Sequence, residues 1–425
     1  MTLKLADDCF FNDKDRLPHV EAVAVLKSRV RSVVATEQVS LDGAAGRYLA
    51  DAIVALRPIP AHDNAAVDGY SFAHVSYDNA RGTRFRISGE ASAGRSFGGE
   101  PQLDGAVRIF TGAVMPSGHD TVAMQEFVGV EEQDGKWFAR VPGGLKQGAN
   151  RRLAGEDSKQ GTVLVTPGSR LRPQDVASAA ACGLDRLCCH TLLRVGILST
   201  GDEILRPGDR FEQGKVYDAN APMLDGLTKS VGAEPEDLGV LPDEANRVRD
   251  ALRNAASRFH VLVISGGASQ GAEDHVAKAI DDIGKRHLWQ IAIKPGRPMS
   301  FGQIGDCVVL SLPGNPVAVF VCFVLYVRPV LARLAGGAWP EPVRYPLRAA
   351  FAQTKKTGRR EFWRAKLAAK DGQLVVAKFP QDGSGLISSL RDADGLIEVS
   401  EEISEVKEGD MVDFIPFAEL GLHRS

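Results

Sequence analysis

The sequence predicts a multidomain α/β protein whose central domain is an open parallel sheet with helices on both faces. Three observations support this prediction. The chain has 425 residues, more than one hydrophobic core usually holds, because most domains contain about 100–200 residues. Between residues 191 and 335, four short apolar runs alternate with amphipathic segments, as βαβ units require. The flanking regions have a different pattern of glycines and short alternating runs.

The N-terminal part is predicted to combine a helical domain with an inserted β-rich lobe. Residues 17–56 and 172–181 look helical, and we expect them to pack together across the insertion. The runs RFRISGEA, AVRIFTGA and KWFARV alternate apolar with polar residues, which is typical of half-buried strands. The predicted domains are thus a discontinuous helical linking domain (17–57 and 151–190) and a β-rich lobe (58–150).

The central domain, 191–335, contains the four apolar runs RVGILS, EDLGVL, HVLVIS and CVVLSL. Continuous apolar runs of this length are typical of parallel strands that are buried on both faces. The candidate helices follow Asn220, Asp243, Asp274 and Asn315. Ligands of such sheets bind outside the carboxyl ends of the strands, so we expect the functional loops at that edge.

The last part of the chain, 336–425, is predicted to form a small β-barrel. It contains the alternating runs GQLVVAKF and DMVDFIPF, and no long amphipathic helical pattern separates them.

Whole-chain properties favour a soluble cytoplasmic protein. The net charge of −3 gives no general attraction to nucleic acid or to an anionic membrane. The first residues lack the pattern of a secretory signal, and the most apolar segment, 317–327, is shorter than the roughly 20 residues that span a bilayer. The six cysteines form no CxxC pair, which favours reduced thiols. An HExxH motif is absent, so zinc hydrolysis lacks its usual sign, whereas GASQG (267–271) has the GxSxG spacing and does not speak against serine hydrolysis.

The loop after the third predicted strand, SGGASQGAED, combines glycines with a carboxylate. Glycines such as Gly266 and Gly267 allow a close approach of the backbone, and free N–H groups at a helix start favour an anion. The loop is neither a Walker loop nor a GxGxxG motif. Asp274 could equally serve only as the cap of the following helix.

Other loops at the same edge bring further charges. Glu203 follows the first strand and Asp243 the second, while KPGRP delivers Lys294 and Arg297. Each acid alone could be a helix cap or a solvated turn residue. Together, the acids suit a divalent cation that bridges phosphate oxygens, and the two cations suit an anionic substrate.

The motifs taken together resemble those of a known family. They are DNAAVDGYSF (63–72), RIFTGAVMPSGHDTVAMQE (108–126), RRLAGEDSKQGT (151–162), ILSTGDEI (197–204), VISGGASQGAED, AIKPGRP, LPGNPVAV (312–319) and GSGLISSL (383–390). In this order, over nearly the whole chain, they resemble the molybdopterin molybdenumtransferases of the MoeA family, which includes the E domain of gephyrin.

The resemblance implies the last step of molybdenum cofactor assembly. Adenylylated molybdopterin and molybdate would be the substrates, Mg²⁺ the cofactor and AMP a product. It also implies a homodimer, with the molybdopterin adenylyltransferase and chaperones of downstream molybdoenzymes as possible partners. No nucleic acid or membrane partner is expected.

The resemblance also assigns roles to single residues. The catalytic positions are Asp68, Thr111, Glu203, Asp243 and Asp274, of which the last three would hold the metal. The substrate-binding positions are Ser265, Gly266, Gly267, Lys294, Arg297, Pro313, Asn315, Arg359, Arg364 and Ser384. Structural alternatives remain: Asp68 as a turn residue, Thr111 as a strand-end hydroxyl and Pro313 as part of a turn. Gln290 and Arg297 stand where many relatives have lysine.

Two other functions compete with molybdate insertion. A molybdopterin adenylyltransferase would share the central fold, but such enzymes are short chains whose loop reads Gly-Gly-Thr-Gly rather than GGASQG. A scaffold, the second role of gephyrin, would not need the acids and cations of the predicted cleft. The chain length and the loop sequence favour the insertion enzyme over the adenylyltransferase, and the charged residues favour it over a scaffold.

Overall fold

A six-stranded mixed sheet forms the centre of the fold. The computed structural model describes residues 16–267, 275–296 and 298–422. From edge to edge the strands are Glu234–Leu241, Arg194–Thr200, Val261–Ser265, Cys307–Leu312, Pro298–Ile304 and Lys285–Gln290. The first four run parallel, as the sequence predicts, whereas Pro298–Ile304 is antiparallel to both of its neighbours, so Lys285–Gln290 has the same direction as the first four. The unpredicted strand Pro298–Ile304 is joined to Cys307–Leu312 by a hairpin at Gly305 and Asp306, a turn pair typical of tight β-connections.

Helices cover both faces of this sheet. Along the strand Val261–Ser265, Val261 and Val263 point into one core and Leu262 and Ile264 into the other. The helices are Asn220–Ser230, Ala245–Ala256, His275–Ile283, and the consecutive segments Pro316–Cys322, Phe323–Val327 and Arg328–Leu334. The alternation of core residues confirms the doubly covered sheet, and helices begin at or shortly after the predicted positions Asn220, Asp243 and Asn315, whereas the residue before His275 lies outside the described part of the chain.

The segment Pro316–Leu334 is a buried core helix. Among the described residues it is the one helix long and apolar enough to cross a membrane, yet 89% of its apolar window is buried in the protein. The observed apolar helix is longer than the predicted segment 317–327, because a π-helical turn at Phe323–Val327 continues the helix to Leu334. The helix belongs to the interior of a soluble domain.

The N-terminal domain is less helical than predicted. The helix His19–Arg29 ends at Val30, and Thr36–Ser40 forms a strand that pairs with Arg186–His190. The prediction of helix over 17–56 is thus wrong beyond Arg29 except at the short helix Leu41–Ala44, because the strand Thr36–Ser40 pairs with a strand about 150 positions away. The helix Pro173–Ala181 is confirmed. It shares a core with Ala44 and Leu49, so the two segments pack across the insertion.

Smaller elements are Leu41–Ala44, Ile53–Val54 paired with Val163–Val165, and Asn64–Ala65 paired with Arg151–Arg152.

The inserted lobe is a six-stranded sheet. Its strands lie in the order Thr121–Met124, Gly69–Phe72, Gly105–Ile109, Thr83–Ala91, Lys136–Val141 and Gly129–Gln133, with short 3₁₀ turns at His74–Ser76 and Gln125–Phe127. Phe72 stacks on Phe85 in its core, with ring centroids 4.9 Å apart. The β-rich character of the insertion is confirmed.

The C-terminal region closes into the predicted small barrel. Its strands pair in the ring Arg360–Lys370, Gln373–Lys378, Tyr345–Ala349, Met411–Pro416 and Gly395–Val399, and the last pairs again with the first. The remaining elements are the pair Gln353–Thr354 and Glu405–Val406, the helix Ile387–Asp392 and the turn Ala418–Leu420. The strand Ile293–Lys294 pairs with Arg360 and Glu361, so the barrel is joined to the loop of the predicted basic residues.

Candidate active site

A cavity of about 530 Å³ lies at the carboxyl ends of the parallel strands. This strand-end cavity is where open α/β sheets bind their ligands, and its volume suits a small organic molecule. It brings together predicted residues from separate loops, namely Glu203, Ser265, Gly266 and Asn315.

The glycines of the loop after Val261–Ser265 are required by close packing. Gly266 has φ +91°, and a Cβ there would lie 2.7 Å from the carbonyl oxygen of Thr200. At Gly267, with φ +67°, a Cβ would lie 2.4 Å from the Val276 side chain. The Gly266 N–H donates to the Leu312 carbonyl at 3.1 Å, so this amide is already used by the fold. Residues 268–274, including Asp274, lie outside the described residues.

Two polar residues of the strand-end cavity were missed in the sequence. Asp218 is buried and caps the helix Asn220–Ser230, because its Oδ1 accepts from the N–H groups of Asn220 and Ala221 at 3.0 Å. Asn220 is 8% exposed and its Nδ2 donates to Ser265 Oγ and to the Gly314 carbonyl, both at 2.7 Å. Its Oδ1 is buried without a hydrogen-bond partner in the described chain. An Asp two residues before a helix start at a strand end is the signal that could have revealed them.

The predicted metal-binding acids are only partly gathered. Glu203 lines the strand-end cavity, whereas Asp243 is exposed and its N–H donates to Asp202 Oδ1 at 3.1 Å. In the described ranges no group of three or more His, Cys, Asp or Glu side chains could hold a metal. The third predicted acid, Asp274, is outside those ranges. Mg²⁺ commonly binds through one or two carboxylates with waters and substrate phosphates, so the oxygen donor of Glu203 fits such an ion without a closed cluster.

A second cavity, of about 320 Å³, collects the predicted basic residues. This basic pocket lies between the KPGRP loop, the LPGNP turn and the barrel. Its lining contains six predicted residues: Lys294, Pro313, Asn315, Arg359, Arg364 and Ser384. Arg297 lies outside the described residues, and Gln290 does not line this pocket.

A buried carboxylate, also missed in the sequence, orders the cations of the basic pocket. Glu361 is 2% exposed and accepts hydrogen bonds from Arg359 Nε and Trp363 Nε1, both at 2.9 Å. Lys294 Nζ lies 3.7 Å from its Oε2. One acid therefore fixes Lys294 and Arg359 side by side, while both keep part of their surface open, with 41% and 25% of the side chain exposed.

Arg364 is tied into the protein rather than free. It is buried, and its guanidinium donates to Ser389 Oγ at 2.9 Å and to the carbonyls of Gln381 and Gly383 at 2.9 and 3.1 Å. Burial lowers the pKa of Arg364 below its usual range. Arg364 thus holds the loop that carries Ser384 against the basic pocket.

The two cavities meet at the LPGNP turn. Asn315 lines both of them, Pro313 faces the basic pocket and Gly314 the strand-end cavity. The turn is fixed from one side by Asn220, which holds the Gly314 carbonyl, and from the other by the N–H of Val317, which donates to the Ser384 carbonyl at 3.0 Å. A ligand that extends past Asn315 would contact both cavities.

Asp68 and Thr111 form a pair on the inserted lobe. The Thr111 N–H and hydroxyl both donate to Asp68 Oδ1 at 2.7 Å. These hydrogen bonds, first that of the backbone, lower the pKa of Asp68, so its carboxylate stays charged at neutral pH. Neither residue lines the strand-end cavity or the basic pocket of its own chain.

Comparison with known proteins identifies the family. Three family models match in order: MoeA N-terminal region (domain I and II) at 17–183, probable molybdopterin binding domain at 196–333, and MoeA C-terminal region (domain IV) at 346–417. The molybdopterin molybdenumtransferase of Haemophilus influenzae is 34% identical over 387 residues, 91% of this chain and 95% of that protein. The chain belongs to the MoeA family. It is a molybdopterin molybdenumtransferase of molybdenum cofactor biosynthesis, as the motifs predict.

Further MoeA relatives agree over most of the chain. The molybdopterin molybdenumtransferase of Bacillus subtilis is 31% identical over 368 residues, 85% of each chain. The crystal structure of the molybdopterin biosynthesis MoeA protein from Pyrococcus horikoshii OT3 superposes with a TM-score of 0.79 at 30% identity, and covers 95% of this chain and 100% of that one. The match extends over the lobe and the barrel, which a short adenylyltransferase chain would lack.

Proposed function

We propose that this MoeA-family chain inserts molybdate into adenylylated molybdopterin and releases AMP. The observation that carries the proposal is the meeting of two unlike cavities at Asn315. One is roomy and lined by hydroxyl, amide and glycine groups together with the carboxylates of Glu203 and Asp218, and the other is small and basic. The larger cavity suits a large organic diphosphate, and the basic pocket suits a small oxyanion.

The adenylylated pterin is assigned to the strand-end cavity. Its diphosphate would lie against Ser265 and Gly266, where the lack of a side chain on Gly266 permits a close approach. Asn220 would orient the substrate through its buried, unpartnered Oδ1 or through its hold on Ser265 Oγ. Asn315 stands at the opening towards the basic pocket and would direct the dithiolene end of the pterin there.

Molybdate, as a substrate, is assigned to the basic pocket. Lys294 and Arg359 present a point charge and a planar fork of donors, which together suit a tetrahedral dianion. Glu361 keeps both in place but leaves the pocket net positive. Ser384 adds a hydroxyl, held in position by Arg364.

Glu203 and the acids Asp243 and Asp274 are assigned to phosphate chemistry. Glu203 would hold a Mg²⁺ ion at the diphosphate, with Asp243 and Asp274 contributing from the neighbouring strand ends. When bound, the cation would neutralise charge on the phosphoanhydride as AMP leaves. The predicted Arg297 would add a further positive charge beside Lys294.

The proposed site is completed across a two-fold dimer in the cytoplasm. Asp68 and Thr111 form a charged, solvent-facing pair that lines neither cavity of its own chain, so they are suited to reach the strand-end cavity of a second copy. The molybdopterin adenylyltransferase would supply the substrate, and chaperones of molybdoenzymes would receive the product.

The function is tested with adenylylated molybdopterin, molybdate and magnesium. We expect release of AMP together with active molybdenum cofactor, each dependent on molybdate and on Mg²⁺. Conversion of ATP and molybdopterin into the adenylylated compound would instead identify the adenylyltransferase. No turnover by the folded protein in either direction would favour a scaffold.

A further inference from the structure

A third cavity, of about 510 Å³, lies between the N-terminal linking domain and the end of the core helix. It shares no lining residue with the strand-end cavity or the basic pocket. None of the predicted site residues that the structure describes is in it. Its lining combines residues from the 164–175 segment, from the end of the helix Asn220–Ser230 and from the helix Arg328–Leu334.

Three arginines line this interdomain pocket, and one of them has no partner among the described residues. Arg172 is held by the single acid of the lining, Asp175, through Nε and Nη2 at 2.9 Å. Arg170 donates from Nε to the Gly46 carbonyl at 3.1 Å and from Nη1 to the Ser230 carbonyl, neither of which is charged. The half-buried guanidinium of Arg328 makes no hydrogen bond or ion pair with any residue in the described ranges.

An unpaired, half-buried guanidinium is costly, because burial removes water without supplying a counter-charge. Burial lowers the pKa of Arg328 below its usual range, and the charge of Arg170 acts in the same direction. An anion in the pocket would relieve both effects. The hydroxyls of Thr166 and Ser169, 3.3 Å apart, stand in the same lining as further donors.

We propose that the interdomain pocket binds a phosphate monoester of a small organic molecule, with its phosphate on Arg328 and Arg170. Arginine forks are matched to phosphate oxygens, and Tyr48 Oη, which donates to the Val231 carbonyl at 3.1 Å, adds no negative charge. The walls also include Leu164, Val165, Ala332 and Pro340, and the volume far exceeds that of a bare oxyanion. The ligand would join the linking domain to the central domain.

The experiment measures binding of inorganic phosphate and of phenyl phosphate to the full chain by calorimetry at low salt. The variants are Arg328→Met, which removes the charge but keeps a similar length, and Arg333→Met as a matched control. Arg333 lies on the same helix, is half-buried and does not line the pocket. A Lys294→Met background weakens anion binding at the basic pocket, so binding that is further lost with Arg328→Met in this background belongs to the interdomain pocket, whether or not the function proposed above holds.

We expect Arg328→Met to weaken phosphate binding about tenfold or more, the loss of one strong charge-assisted hydrogen bond, and Arg333→Met to leave it unchanged. Phenyl phosphate should bind more tightly than phosphate, since it also reaches the apolar walls. The unliganded Arg328→Met protein should be at least as stable as the wild type. In the wild type, phenyl phosphate should protect Arg328 from modification by phenylglyoxal, a readout that needs no variant.

Equal binding by Arg328→Met and wild type would overturn the proposal, as would equal loss in the Arg333→Met control. An absence of protection of Arg328 would do the same. If Arg328→Met changed the dimerisation constant but not phosphate binding, the pocket would be holding an acidic group of a second copy instead.

Discussion

Replacing Lys294 with alanine should raise the molybdate requirement without a comparable effect on the pterin. Lys294 Nζ lies 3.7 Å from Glu361 Oε2 and its side chain is 41% exposed, so it is available to an incoming oxyanion. A hydrogen bond to a charged group contributes about 1.5–3 kcal/mol, and the partial exposure favours the lower end because water screens the charge. About 1.5 kcal/mol corresponds to roughly a tenfold higher molybdate concentration at half-maximal insertion.

The fold should survive this change. Glu361 keeps its hydrogen bonds from Arg359 and Trp363 at 2.9 Å, so its buried carboxylate is not left without partners. The assay titrates molybdate at saturating adenylylated pterin, and then the pterin at saturating molybdate. Lys366→Ala, an exposed lysine on the same barrel strand as Glu361, is the control and should behave as the wild type. An unchanged molybdate requirement together with weaker pterin binding would refute the assignment.

Three further predictions concern the acids, the dimer and stability. Asp274→Asn should keep the fold but lose AMP release at ordinary magnesium, since it replaces a carboxylate with a neutral amide of almost the same size. Normal AMP release by the folded variant would contradict the metal role. Mixing Asp68→Ala with Asp274→Ala should restore roughly a quarter of wild-type activity if the two residues act in trans. About half of randomly paired dimers are mixed, and each mixed dimer has one intact site of two. Near-zero activity in proven mixed dimers would indicate that the residues act in cis. His19 is 5% exposed, and burial lowers its pKa to about 4, below the unfolded value of 6.5. Between these two pH values the unfolded chain binds a proton that the folded chain does not bind. The free energy of unfolding therefore falls as the pH drops from 6.5 towards 4. Denaturant titrations at about pH 7.5 and about pH 5 should show a His19 contribution of about 2 kcal/mol to that fall, which His19→Gln should remove; an unchanged pH dependence in the variant would show that His19 is not responsible.

The central sheet was predictable because its signals are local. The runs at Val261–Ser265 and Cys307–Leu312 are almost entirely apolar, as a strand buried on both faces demands, and the turn residues mark where they end. The strand Thr36–Ser40 could not be found in this way. Its pairing with Arg186–His190 depends on distant residues, and its own sequence, TEQVS, carries no alternating apolar pattern.

The candidate site was predicted best where family motifs supply it. Lys294, Asn315, Arg359 and Ser384 come together in one pocket although they are spread over about ninety positions. Glu361 was missed because a lone acid inside a strand resembles any solvated charge, and only the fold shows that it is buried between cations.

Polar residues that act through the backbone were also missed. The roles of Asp218 and Asn220 depend on the helix start and on the Gly314 carbonyl, neither of which a side-chain motif reveals.

Arg364 was predicted as a substrate contact, yet its hydrogen bonds run to the loop that carries Ser384. Its proposed contribution is therefore to position that loop.

Two cavities joined at Asn315 are proposed to divide the substrates between them, with molybdate in the basic pocket. A crystal structure with bound molybdate and AMP tests this division, because anomalous scattering of molybdenum locates the metal without reference to the protein density. We expect the molybdenum peak within hydrogen-bonding reach of Lys294 and Arg359, and the AMP phosphate in the strand-end cavity beside Ser265. A molybdenum peak in the strand-end cavity, or beside Arg328 alone, would contradict it.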